Sequence, residues 1–180
     1  MKREAAALCL GVWLMGTVCV SIVATQNFYT IDRLLTRPDN ADFVQLVEQI
    51  GTSSARDFLR YLSSELNRLF FQIWNYAQFA IGGVTLWLVV GLREAPKLKW
   101  FVLVMLAVLV LLTIWLTPQI VSVGRSLDFV PRDPPPAALQ TFGLLHAAYT
   151  ILEMLKLATG VVAVIWLLRS PRGLASEEAC

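Results

Sequence analysis

Hydrophobic residues along this 180-residue chain gather into four long runs, at residues 5–25, 70–92, 97–116 and 142–168. An α-helix rising 1.5 Å per residue needs about 20 apolar residues to cross a bilayer, and each run meets that length. Backbone polar groups in lipid must be satisfied within the segment, which favours helices. The pattern predicts an all-α fold: an integral membrane four-helix bundle, one domain over residues 1–180.

The stretch between the first two runs has its own periodicity. Phe43, Leu46, Val47 and Ile50 form one helical stripe. Asp39 or Asn40 is placed to cap its start, and Gly51 to end it. Ser53 or Ser54 would then cap a second helix, with a stripe at Phe58, Leu62, Leu66, Leu69 and Ile73. With neither Gly nor Pro between Ala55 and Ile81, one long second helix is expected. Over Ser54–Val90 it would measure roughly 55 Å and project beyond the bilayer as part of a helical outer insertion at 39–69. The short amphipathic helix before it would lie on the interface or pack on that projection. Pro96 opens the third run, with Trp100 and Trp115 near its two ends and Thr117-Pro118 at its outer end. An outer loop at 117–141 follows, stiffened by Pro134, Pro135 and Pro136.

Composition sharpens this picture. The chain is 57% hydrophobic and 16% charged, and the deficit of charge falls in the four runs. A net charge of +2 with no basic run gives no footing for nucleic acid. Cys9 and Cys19 lie in the first run and Cys180 at the chain end, with no metal-type spacing. The first run is longer than a signal-peptide core and lacks an A-x-A site, so it reads as a retained helix. Lys2 and Arg3, then Arg93, Lys97 and Lys99, then Arg169 and Arg172 flank the runs on one side. In the two long connections, basic residues are balanced by acids. The positive-inside rule puts both termini in the cytoplasm. With no organellar presequence and a compact length, the expected location is a bacterial cytoplasmic membrane.

Candidate chemistry sits in the fourth run. His146, Tyr149, Thr150, Glu153, Lys156 and Gly160 recur at three- and four-residue spacing, which is one helix face. A charge at the bilayer centre costs about 2.5–3.5 kcal/mol, so this face must turn inward. Asn75, Gln78, Gly82 and Thr85 offer partners on the second helix, and Thr17, Ser21 and Thr25 on the first. Glu153 and Lys156 read either as a self-neutralising pair that fixes helix register or as a proton, ion or ligand site. Haem or metal ligation by His146, the single histidine, has no partner spacing behind it, so no metal and no cofactor are expected. In the outer loop, Arg125 and Asp128 are close enough to pair across a turn at Gly124. Arg125 and Arg132 offer an anion or partner site. No phosphate loop, HExxH or GxSxG motif is present, so the chain does not read as an enzyme.

Three segments carry a family resemblance. Ala24-Thr25-Gln26-Asn27-Phe28 ends the first run, Thr117-Pro118-Gln119-Ile120 closes the third, and Phe142-Gly143-Leu144-Leu145-His146 opens the fourth. In these the chain resembles uncharacterised four-helix membrane proteins of the domain-of-unknown-function-4149 type, which are transmembrane-protein-205-like. The resemblance implies a four-helix integral membrane fold and the placement of His146, and it brings no established activity. The chain departs from the family in its 40–69 insertion, its Arg125–Arg132 segment and its Glu153/Lys156 pair.

The expected function is therefore that of a non-enzymatic accessory or scaffold subunit. It would sit in the lipid bilayer and dock a membrane-protein partner, or a second copy of itself, through its outer helix and loop. Two other readings are a small transporter or proton-conducting protein using the polar stripe, and a haem or quinone redox subunit.

Overall fold

Helices make up almost all of the chain in a computed structural model that describes residues 1–92 and 95–170, with no strand among them. Arg93, Arg172 and Cys180, named above, lie outside the described residues. In chain order the elements are α1 (Lys2–Thr36), α2 (Ala41–Ile50), α3 (Thr52–Val90), α4 (Leu98–Leu111), a π-helical turn (Leu112–Leu116), α5 (Thr117–Arg125) and α6 (Ala137–Arg169). α4, the π turn and α5 form one continuous rod. This rod, α1, α3 and α6 are each long and apolar enough to cross a membrane.

The boundaries differ from the sequence expectation in three places. α1 does not stop near Thr25 but runs to Thr36, because α3 supplies partners for its polar end. Asn27 Nδ2 donates to Asn67 Oδ1 at 2.6 Å, Asn67 Nδ2 donates to the Ala24 carbonyl at 2.9 Å, and Arg56 pairs with Asp32. Neither Ser53 nor Ser54 caps α3: the helix already begins at Thr52, directly after Gly51. Gly51, at φ 82°, makes a corner that favours glycine. The cap expected on α2 is made by Asn40, whose side chain accepts from the Phe43 amide at 2.9 Å.

The third difference is that Thr117-Pro118 does not end the third rod. Proline lacks an amide and its ring clashes with the carbonyl four residues earlier. Here the preceding turn is widened, with the Thr117 amide bonded to the Leu112 carbonyl. This π geometry absorbs the proline, and the helix continues to Arg125. Gly124 is consequently helical and makes no turn, and Trp115 stands well inside the rod. Leu127–Val130 form the turn that the loop expectation had placed earlier.

The rods pack as α1–α3–α4/α5–α6 and back to α1, each antiparallel to its neighbours. Trp13 meets Gln78 at one level and Asn27 meets Asn67 at another, which fixes the α1–α3 direction. Gly160 faces Leu14 and Met105, and Gly124 faces Phe142, which fixes α6 against α1 and the third rod. α2 packs on the projecting start of α3.

The two ends of the bundle differ in chemistry. At the basic end, Lys2 lies over Trp87, Lys97 lies over Trp166, and Arg3 donates to the carbonyls of Leu167 and Ser170. At the loop end sit α2, the tips of α1 and α3, and residues 126–136. The outer surface of the rods is apolar, with Leu8, Met15, Trp87, Trp100, Ile151 and Leu168 all exposed. The stripe Phe58, Leu62, Leu66, Leu69 and Ile73 is part of that exposed surface. The buried face of α3 carries Ser63, Asn75, Gln78, Gly82 and Thr85 instead. Apolar outside and partly polar inside is the arrangement a lipid solvent selects.

Candidate functional site

α3 and α6 stand diagonally across the bundle and run in the same direction, so residues 78 positions apart in sequence share a level: Gln78 meets Lys156, and Phe71 meets Tyr149. Lys156 is almost fully buried and Glu153 is 7% exposed. The Lys156 ammonium stands 2.9 Å from both carboxylate oxygens of Glu153 and donates to Oε1. It also donates to Gln78 Oε1, which accepts a second hydrogen bond from the Trp13 indole at 2.9 Å. Gln78 Nε2 in turn donates to Asn75 Oδ1 at 3.4 Å. The charged pair is thus tied to α3 and, through Trp13, to α1. Glu153 Oε2 has the ion-pair contact but no hydrogen bond among the described residues.

Towards the loop end α1 stays on α3 through Asn27 and Asn67, and α5 stays on α6 through Gly124 and Phe142. A cavity of about 520 Å³ opens between α3, α5 and α6, roofed by residues 127–132. Its walls are largely aromatic and aliphatic, with Phe28, Tyr61, Phe71 and Phe142 prominent, while Thr117 and Tyr149 lie at its deep end. Arg60, Arg68 and Arg132 reach its rim, with Asp57 and Asp128. Arg68 bonds Glu65 on its own helix and Asp128 in the loop, at 3.1 Å to Oδ2. Phe129 packs on Tyr61 with ring centroids 5.1 Å apart. These contacts hold the roof on α3. Arg132 donates from Nη2 to the Leu127 carbonyl at 3.4 Å, and its buried Nη1 has no hydrogen-bond partner among the described residues. Against an apolar wall, an unmatched guanidinium N–H costs free energy, and an anion there would recover it.

The expected stripe on α6 divides. Glu153, Lys156 and Gly160 are buried, Tyr149 is half-buried, and His146 and Thr150 are exposed. His146 stacks on Phe142 at 6.0 Å and lines the cavity from its upper part, and the Thr150 hydroxyl bonds the His146 carbonyl. Asn75, Gln78, Gly82 and Thr85 all turn inward, but only Asn75 and Gln78 join the ion-pair cluster. The hydroxyls of Thr17, Ser21 and Thr25 bond carbonyls of their own helix four residues back. Arg125 and Asp128 do not pair with each other. Both reach α3 instead, Arg125 to Glu65 at 3.8 Å and Asp128 to Arg68, because α3 offers each of them an opposite charge. Among the described residues, no cluster of three or more His, Cys, Asp or Glu side chains gathers.

Trp13 and the cavity were not visible in the sequence reading. Trp13 sits in an apolar run where an indole reads as one more hydrophobe. Its heptad-like spacing from Ala6 and Leu10, both fully buried, is the signal that marks an inward face. Compared with protein-family models, curated proteins and solved structures, the chain matches none of them.

Proposed function

We propose that the chain is an integral membrane four-helix protein whose outer cavity binds a small amphipathic molecule carrying one anionic group. The bundle crosses a cytoplasmic membrane, of bacterial type, with its basic end and both termini on the cytoplasmic side. The gathered lysines and arginines of that end support the orientation. Four rods, each long and apolar enough to cross a bilayer, support the four-span reading. Counting about 20 residues up from the basic end brings the outer boundary of the hydrocarbon near Thr25, Phe70, Thr117 and Tyr149. The deep end of the cavity then lies at headgroup level, where amphipathic molecules collect.

One observation carries this reading: an aromatic cavity of about 520 Å³ with Arg132 in its lining, whose buried Nη1 has no hydrogen-bond partner among the described residues. Small-molecule sites are typically apolar concavities of about 300–1,000 Å³ with a few placed polar groups. The outer helix and loop spend their charges on each other, through Arg68, Asp128, Glu65 and Arg125, which leaves the space between them as the feature on offer.

Photo-crosslinking in liposomes with a palmitate-length carboxylic acid bearing a diazirine tests this. Saturable label is expected on peptides covering 57–71 and 127–149, competed by the unmodified acid and weaker with the methyl ester. Arg132→Gln should lower it about tenfold, the worth of a charge-assisted hydrogen bond. Label on the lipid-facing side chains Met15 and Ile22 should not change. Label confined to lipid-facing side chains, or indifferent to Arg132→Gln, would refute the proposal.

A further inference from the structure

Three buried polar atoms have no hydrogen-bond partner among the described residues: Thr113 Oγ1, Thr117 Oγ1 and Glu153 Oε2. (Arg132 Nη1, the fourth such atom, belongs to the cavity rim.) The two threonines are one turn apart on the third rod and Glu153 is far from them in sequence, but the antiparallel register of α6 on that rod brings all three to neighbouring levels. Gly124 faces Phe142, Met105 faces Gly160, and Phe101 faces Trp166. Interpolating, Thr117 stands level with Tyr149 and Thr113 level with Glu153. The direction of the side chains agrees. Val102, Leu109 and Leu116 define the buried stripe of the rod, and Thr113 lies four residues from Leu109 and three from Leu116. Thr117 and Tyr149 both line the cavity.

The π turn makes this segment unusual. Such turns are frequent at functional sites, and here the turn spans Leu112–Leu116, taking in Thr113 and ending just before Thr117. Two hydroxyls without a hydrogen-bond partner and a carboxylate oxygen that touches the Lys156 ammonium form a polar ladder leading down from the cavity. Buried water is held by two to four polar groups of this kind, and an unmatched polar atom in an apolar interior costs roughly 1–3 kcal/mol. Below the ladder the interior is largely apolar. Leu10, Leu98, Val102, Met105, Leu109, Ala163 and Leu167 are all fully buried, and the Thr85 hydroxyl, buried at the level of Ala163, is already bonded to the Ile81 carbonyl.

We infer that a water-binding branch runs from the floor of the outer cavity past Thr117 and Thr113 to the Glu153–Lys156 pair, and that it ends there. The pair exchanges water and protons with the loop side only. The branch rests on the reading that the rods cross a membrane. It makes Glu153 accessible without making the protein a conduit.

Silver-ion accessibility tests it, since silver is a thiol reagent small enough to travel with water. Cys9, Cys19 and Cys180 are first replaced by serine. Single substitutions Thr113→Cys, Thr117→Cys, Ala163→Cys, Ser126→Cys and Lys97→Cys are then placed in proteoliposomes with the protein inserted in one orientation. Silver is applied to one side at a time. Protection is read as loss of later maleimide labelling of the denatured protein. Thr113→Cys and Thr117→Cys should be protected from the side that protects Ser126→Cys, and Ala163→Cys from neither. Full labelling of Thr113→Cys after silver on both sides would mean the branch is dry, and protection from the Lys97→Cys side would mean it passes through; either overturns the inference. Equal protection of Ser126→Cys and Lys97→Cys from one side would instead remove the membrane-crossing reading, and the branch with it. Because Thr→Cys barely changes volume, a circular-dichroism melt matching the cysteine-free background confirms that each variant reports on the folded bundle.

Discussion

The two halves of this bundle use the same four rods to opposite ends. In the basic half the helices close on one another. Gly16 abuts the Trp74 ring, Gly82 the Trp13 ring and Leu106, and Gly160 abuts Leu14, so side chains of one rod fill the space that a Cβ would take on the next. In the loop half the facing side chains are large rings, Phe28, Phe71, Phe142 and Tyr149, and the rods stand apart around a cavity. Small residues draw helices together in lipid, where no hydrophobic force does so. Aromatic residues on three elements prop them open. The Glu153–Lys156 pair sits at the seam between the closed half and the open one. Each half can be perturbed separately, and the size of the response should differ.

The largest effect is expected at the seam. Lys156→Met leaves Glu153 buried beside Gln78 with no countercharge, and removing one member of a buried pair costs about 3–5 kcal/mol. Glu153→Gln combined with Lys156→Met should restore most of that loss, because no net charge then remains to be desolvated. Thermal unfolding in a fixed detergent, compared across the singles and the double, checks this. A double variant as unstable as Lys156→Met alone would mean that the pair matters for packing and not for charge.

Next come the glycines of α6, one in each half. A Cβ at Gly160 would stand 2.5 Å from Leu14 Cδ2 and 3.0 Å from Met105 Cε, whereas at Gly143 it would meet nothing within 4 Å. Gly160→Ala should therefore destabilise by about 1–3 kcal/mol through overpacking. Gly143→Ala should stabilise by up to about 1 kcal/mol through helix propensity. The same substitution on one helix, with opposite signs, separates the closed half from the open one in a single melting experiment.

Much of this division was legible in the sequence. The four runs gave the rods, and the i, i+3 spacing of Glu153 and Lys156 gave an internal pair, with Asn75 and Gln78 as its neighbours. What escaped was whatever depends on two elements at once. Gln26–Thr30 reads as a helix end, and only the arrival of Asn67 and Ser63 from α3 keeps it helical. Pro118 reads as a stop, and only the widened turn before it lets the helix pass. Periodicity also cannot say which side of a stripe faces in. Phe58, Leu62 and Leu66 make a regular apolar face that points outward, because the interior selects the small and polar residues of α3. The cavity joins α3, α5, α6 and the loop, and no local pattern announces such a space.

A smaller effect is expected at the roof. Asp128→Asn weakens its ion pair with Arg68, which keeps Glu65, and both side chains of the broken pair are partly exposed. The cost in stability should be no more than about 1 kcal/mol. The consequence for binding should be easier to see: a looser roof releases the carboxylic-acid probe faster. Dissociation that is unchanged in Asp128→Asn would show that the ligand does not pass beneath this loop.

The finest test lies at Phe129, which holds φ at 57° while its ring packs on Tyr61. That backbone region is costly for a residue with a Cβ, roughly 1–2 kcal/mol, and free for glycine. The ring contact is worth about 0.5–1.5 kcal/mol. Phe129→Ala loses the ring and keeps the strain, whereas Phe129→Gly loses the ring and relieves the strain. Glycine gives back part of its advantage through the greater entropy of its unfolded chain. Phe129→Gly should thus melt above Phe129→Ala by an amount equivalent to about 1 kcal/mol or less, and both below the parent. If both variants match the parent, the Tyr61 contact contributes nothing, and the roof is held by Arg68 and Asp128 alone. The difference between the open half and the closed half would then rest on charge at one end and shape at the other.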